Sequence, residues 1–191
     1  MKAAQENIIY RKTELKIIEA LIKSFQNNHL VNLKLYKALA ENGIPRTSFY
    51  LHYKSLSELI NKNEEFILNG IHLEVDKKLK NNLTLERFYR NVLLFIYKNR
   101  EKFALAIESK SIHLEMEMMK CIKPVISEYW NDYGESLNRY LFQHLTAAFA
   151  GEMRNWHDRE YNPADIERRI SNLTKLTYLI PRTYGPMYIK H

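Results

Sequence analysis

The sequence predicts an all-α protein with a helix-turn-helix near its N-terminus and a second helical region behind it. Three observations predict this. Apolar residues recur at spacings of three and four along nearly the whole chain, the period of an amphipathic helix. No segment sustains the alternation of a strand. The 191 residues include only 5 Gly and 5 Pro, fewer than a large turn-rich β domain or a Gly-looped nucleotide fold uses.

The first helix is expected over residues 9–27. Leu15, Ile18, Ile22 and Phe25 form its apolar line, with Ile17 and Leu21 beside them, and Lys12, Lys16, Glu19 and Lys23 lie opposite. A second, shorter helix is expected from Asn32, as N-cap, to Asn42, with Leu33, Tyr36, Leu39 and Ala40 inward. Gly43 ends it, and Ile44-Pro45 makes the turn. A third helix then runs from Pro45, placed in its first turn, to about Tyr53. Phe49 is its one clear inward residue. The rest are Arg46, Thr47, Ser48, Tyr50, His52 and Lys54, and no carboxylate occurs between Glu41 and Glu58. So polar a helix needs a partner for its outer face.

The fourth helix opens on Ser55-Leu56-Ser57-Glu58, read as a capping box in which Ser55 and Glu58 satisfy each other's backbone donors, and reaches about Lys80. Further helices are expected over 84–99, 102–109, 112–133, 135–158 and 163–180. The tail 181–191, with two Pro and a Gly, is expected to be irregular.

Composition limits the function classes. Apolar residues make up 46% and charged residues 27%, as in ordinary soluble domains. The longest stretch without Asp, Glu, Lys or Arg, Tyr140 to Gly151, is too short to span a bilayer, and the opening MKAAQENIIYRK holds no signal-type apolar run. A single cysteine, Cys121, forms no internal disulfide, and a cytoplasmic location is expected. Net charge is +7, and residues 1–60 hold +4 of it, with 9 Lys/Arg against 5 Asp/Glu. Basic surface attracts polyanions, nucleic acid foremost.

Two short helices joined by a tight Gly turn, the second one polar, form a helix-turn-helix. The second is slim enough for a major groove. Arg46 stands near its start, where base edges are met. Thr47, Ser48, Tyr50, His52 and Lys54 are donors suited to phosphate oxygens.

At these residues the chain resembles the TetR family of bacterial transcriptional regulators. The family's front helix, Ile-Leu-x-Ala-Ala-x-x-Leu-Phe, reads here Ile17-Ile18-Glu19-Ala20-Leu21-Ile22-Lys23-Ser24-Phe25. Its Ala-Gly-Val turn and Thr-Leu-Tyr-x-His-Phe stretch appear as Asn42-Gly43-Ile44-Pro45-Arg46-Thr47-Ser48-Phe49-Tyr50-Leu51-His52-Tyr53. Ser55-Leu56-Ser57-Glu58-Leu59 stands for the family's Ser-Lys-x-x-Leu, and Leu145 to Trp156 resembles its penultimate helix. The resemblance covers residues 11–60 most specifically.

It implies a DNA-binding domain over 1–54 and an effector-binding and dimerisation domain over 55–191, with 55–80 as the connecting helix. By motif position Arg46 and Thr47 read bases, while Ser48, Tyr50 and His52 contact phosphates. Two departures stand out: the usual Lys of the fourth helix is Leu56, and the Ala before the turn glycine is Asn42. The resemblance also implies a pocket among the later helices, for which Phe88, Val92, Phe95, Phe103, His113, Met116, Tyr129 and Phe142 are candidates, although such residues are more often plain core.

The expected function is therefore a ligand-responsive regulator, a repressor released from a roughly palindromic double-stranded operator by a small-molecule effector. It acts as a homodimer through the last two long helices, with Leu137, Leu141, Leu145, Ala148 and Phe149 facing Leu173, Leu176, Leu179 and Ile180. No membrane partner is expected. The alternative, which Leu56 keeps open, is a coactivator or assembly factor of similar build that binds protein. The sequence has no P-loop, no G-x-G-x-x-G, no G-x-S-x-G and no His/Cys ligand cluster, so no enzyme, cofactor or metal is expected.

Overall fold

The computed structural model describes residues 2–27, 35–110, 112–130 and 135–188. These residues form helices and turns, with no strand among them. The helices are α1 (Lys2–Asn27), α2 (Leu35–Glu41), α3 (Arg46–His52), α4 (Leu56–Asn81), α5 (Leu85–Lys98), α6 (Arg100–Glu108), α7 (Ile112–Ser127), α8 (Glu135–Asp158) and α9 (Ile166–Tyr188). The N-cap expected at Asn32 and the apolar position Leu33 lie outside the described residues.

Two compact units divide the chain. One holds residues 1–67 and 99–111, the other 68–98 and 112–191. The first therefore reaches past the motif boundary near residue 54 and takes in α6. Its core joins Ile17, Ile18, Leu21 and Phe25 of α1, Ala38 and Leu39 of α2, Ile44, Phe49 and Tyr53 around α3, Leu59 of α4 and Leu105 of α6. A three-helix unit of this size buries a smaller fraction of its surface than a larger domain does. Leu59 and Leu105, both buried, extend this core beyond the three helices. On α2 the inward residues are Ala38 and Leu39; Tyr36 and Ala40 face solvent instead of the core, because a seven-residue helix has room for one narrow apolar stripe.

In the second unit α9 packs against α5 and α8, and α7 packs on α8. The inner face of α5 is Phe88, Tyr89, Val92, Leu93 and Ile96. Several of the polar groups that enter this core are paired. Tyr89 and Thr177 share a hydrogen bond of 2.7 Å, and Trp130 Nε1 donates to the Thr177 carbonyl at 2.8 Å. The buried Arg169 guanidinium donates to the Glu152 carboxylate at 2.6 Å and to Asn155 Oδ1 at 3.0 Å. Lys78, also buried, reaches Glu128 at 2.6 Å. Gly70 of α4 takes the tip of the Phe95 ring against its backbone, so close that a Cβ there would lie 1.9 Å from Cζ.

The stripe expected to join two chains is used inside this unit. Leu141, Leu145 and Phe149 of α8 and Leu173 and Ile180 of α9 are buried, Ala148 and Leu176 are half-buried, and only Leu179 is exposed; the Leu137 side chain lies outside the described set. Two helices that lie side by side each need an apolar stripe for the other. The outward line of α8 is Gln143, Ala147, Gly151 and Asn155. The helix α9 also continues to Tyr188 through the segment expected to be irregular. Helix propensity is a weak local preference, and a long helix already under way outweighs it.

Candidate nucleic-acid interface

The turn between α2 and α3 is set by backbone chemistry. Gly43 adopts φ +65°, a left-handed conformation that costs glycine little. The Ile44 amide then donates to the Leu39 carbonyl at 2.8 Å and the Gly43 amide to Ala40 at 3.0 Å. This pair of bonds closes the helix end as a Schellman motif. Ile44 and Leu39 share the core, the apolar contact that accompanies it. Asn42 has a local role too: its side-chain amide donates to the Ala38 carbonyl at 2.8 Å, satisfying an acceptor that a helix end leaves open.

Pro45 sits one residue before α3 rather than within it, at φ −60° and ψ 138°. Its carbonyl accepts from Ser48 at 3.0 Å, starting the helix. Fully buried Phe49 anchors α3 to the core. With 3.6 residues per turn, Arg46, Tyr50, Thr47 and Leu51 fall on one arc of about 140°, and all four are exposed. Ser48 is half-buried at its margin, and Lys54 is exposed just beyond the helix.

His52 lies elsewhere. It is 9% exposed and stacks on Tyr10 of α1, with ring centroids 3.8 Å apart. Its Nδ1 is buried without a hydrogen-bond partner among the described residues. Burial pushes its pKa below the ordinary histidine value, with the Glu14 carboxylate opposing that shift, so the ring is neutral at neutral pH. A residue expected as a phosphate contact is thus placed in the packing of α3 on α1.

The start of α4 carries half of the expected capping box. The Glu58 amide donates to Ser55 Oγ at 3.1 Å, but the Glu58 carboxylate accepts from the Lys54 amide at 2.5 Å, one residue before Ser55. Leu56 is half-buried and packs with Ile22, Leu35 and Ile60 against the N-terminal core. An apolar contact occupies the place where the resemblance puts a cation.

Among the eight pocket candidates, Phe88 and Val92 are brought together on the fully buried face of α5, and Phe95 covers Gly70. Tyr129 meets Tyr178 edge-on at 5.5 Å and lies 5.9 Å from Lys78 Nζ. Phe142 is half-buried, while His113 and Met116 are exposed. Phe103 belongs to the N-terminal unit, on α6, and the other seven to the C-terminal unit. Among the described residues no group of three or more His, Cys, Asp or Glu is placed to hold a metal ion, and no helix is long and apolar enough to cross a membrane. Cys121 Sγ lies 3.0 Å from His72 Nε2, but burial raises the thiol's pKa and keeps it protonated.

Leu51 and Tyr10 are the residues near this surface that the sequence reading passed over. Leu51 carried a signal, as the lone aliphatic residue between Phe49 and Leu56. Tyr10 carried none, because a contact from α1 to α3 has no local pattern.

Residues 83–176 match a TetR-family model described as a transcriptional regulator C-terminal region. No curated protein and no solved structure matches the chain.

Proposed function

We propose that this chain, whose residues 83–176 match the C-terminal region of TetR-family transcriptional regulators, binds operator DNA through α3 as a homodimer in the cytoplasm. The observation that carries this reading is the outer face of α3. Arg46, Thr47, Tyr50 and Leu51 stand exposed on a two-turn helix, with Lys54 beside them and no carboxylate in the sequence from Asn42 to Ser57. Arg46 and Thr47 read base edges, while Tyr50, Lys54 and the half-buried Ser48 meet phosphates.

Two such helices on a two-fold dimer meet successive major grooves about 34–36 Å apart, so the operator is roughly palindromic. The two-fold face is the outward line Gln143, Ala147, Gly151 and Asn155 of α8, whose small residues let a second chain approach. A small-molecule effector held in the C-terminal unit releases the DNA, so the chain acts as a repressor. The continuous helix α4, which begins in one unit and ends in the other, carries the coupling, worth about 1–3 kcal/mol between the two ligands.

Selection from a pool of randomised duplexes tests the reading. Enrichment of a roughly palindromic site, bound by two chains in sedimentation, is the expected result. A pool that stays random favours the second reading, a coactivator or assembly factor that binds protein, which the apolar Leu56 supports.

A further inference from the structure

No other large apolar side chain among the described residues is as exposed as Leu51, at 79%. It gains almost nothing from its own core, which α3 reaches through Phe49. Thr47 lies one turn before it, and Tyr50 and Arg46 lie further round the same exposed arc, so the outer face that Leu51 ends also carries a hydroxyl, a phenol and a guanidinium. The surface that complements such a face is polyanionic and carries an isolated apolar group. In the major groove of DNA that group is the 5-methyl of thymine, which no other standard base presents. A lipid surface asks for a stripe of apolar residues, and a seven-residue helix with one leucine outward offers none.

We infer that Leu51 packs on the 5-methyl group of one thymine in each half-site, beside the base that Arg46 reads. The inference rests on the DNA-binding reading above and adds a specificity-determining residue to it. The side chain supplies shape and apolar area, and the methyl supplies the matching surface. A cytosine or purine at that position leaves the leucine facing polar edges.

The full-length protein is used to select duplexes from a randomised pool. The tightest duplex is then resynthesised with deoxyuridine in place of each thymine in turn, which removes the methyl and keeps every hydrogen-bonding group. The expected result is one thymine per half-site whose replacement weakens wild-type binding about fourfold, the worth of one buried methyl-sized group. Leu51→Ala is expected to bind the thymine and deoxyuridine duplexes equally, while Arg46→Ala keeps the fourfold ratio. Leu51→Asn, with the same length and branching but a polar end, is expected to lose the ratio as well. An unchanged melting temperature in both Leu51 variants shows that the fold is intact. A selected site without thymine in its half-sites, a wild type indifferent to deoxyuridine at every position, or a ratio that survives in Leu51→Ala overturns the inference and leaves DNA binding standing. A pool that yields no enriched duplex overturns both.

Discussion

The hydroxyl of Tyr53 donates to Glu14 Oε1 at 2.7 Å, tying the residue that ends α3 to the middle of α1. Lys102 of α6 approaches the same oxygen at 3.3 Å. Burial raises the Glu14 pKa, but these two donors outweigh it, and the carboxyl titrates below its ordinary value. Burial and the adjacent carboxylate push the Tyr53 phenol up, so it stays a donor throughout the physiological range. Three helices of the N-terminal unit thus meet at one carboxylate.

Tyr53→Phe removes the shorter of these bonds and leaves a partly buried carboxylate short of a donor. A loss of about 1–3 kcal/mol is expected, read from urea unfolding followed by circular dichroism. A loss under a few tenths would mean that water replaces the hydroxyl without cost.

The stack of His52 on Tyr10 makes a pH prediction. The folded state holds the His52 pKa below the ordinary value of 6.5. As pH falls through that value, the unfolded chain takes up a proton that the folded chain refuses. Stability is therefore full above this region and is lost on acidification. Between about pH 7.5 and 5.5 the melting temperature of the wild type should fall more than that of His52→Phe, which stacks without titrating. Parallel curves for the two proteins would show that the ring is protonated freely in the fold.

Gly70 and Gly151 are both helical, yet opposite effects are expected from the same substitution. A Cβ at Gly70 runs into the Phe95 ring, whereas a Cβ at Gly151 meets nothing within 4 Å. Gly70→Ala should cost about 1–3 kcal/mol by overpacking. Adding Phe95→Leu should recover part of that loss. Gly151→Ala should add up to about 1 kcal/mol to the single chain through helix propensity, a gain reduced in the dimer by close approach of the second chain at this face. Calorimetry of the three proteins decides between packing and propensity at each site.

DNA titrations across salt separate the roles proposed for the outer face of α3. Arg46→Ala should lose about 1–3 kcal/mol per half-site on the selected duplex and relax the preference at one position. Tyr50→Phe should weaken selected and scrambled duplexes alike. Leu56→Lys should steepen the salt dependence by about one unit per subunit, if its ammonium reaches phosphate from the margin of the core. Equal losses by Arg46→Ala on both duplexes would move Arg46 from base reading to phosphate contact.

The helices themselves were legible in the sequence because each is specified by its own residues. Spacing of three and four marks Ile17, Leu21 and Phe25 as one face, Gly43 marks a helix end, and Ser55 marks the next start. The exposed face of α3 followed for the same reason, since Phe49 had to turn inward and Arg46, Thr47 and Tyr50 were left outside.

Side-chain assignments that depend on a second helix were not legible. The apolar stripe of α8 looked like a face for another chain, and the structure gives it to α9, because a stripe records that something apolar covers it and not what. His52 read as a surface donor until Tyr10, 42 positions earlier in the chain, was placed over its ring. Helix α6 and its Leu105 and Lys102 joined the N-terminal unit across more than thirty intervening residues of chain. Periodicity is a property of one segment and was determined by the sequence alone. Which segments share a core is a property of pairs, and only the tertiary structure, in which burial is settled among all helices at once, decided it.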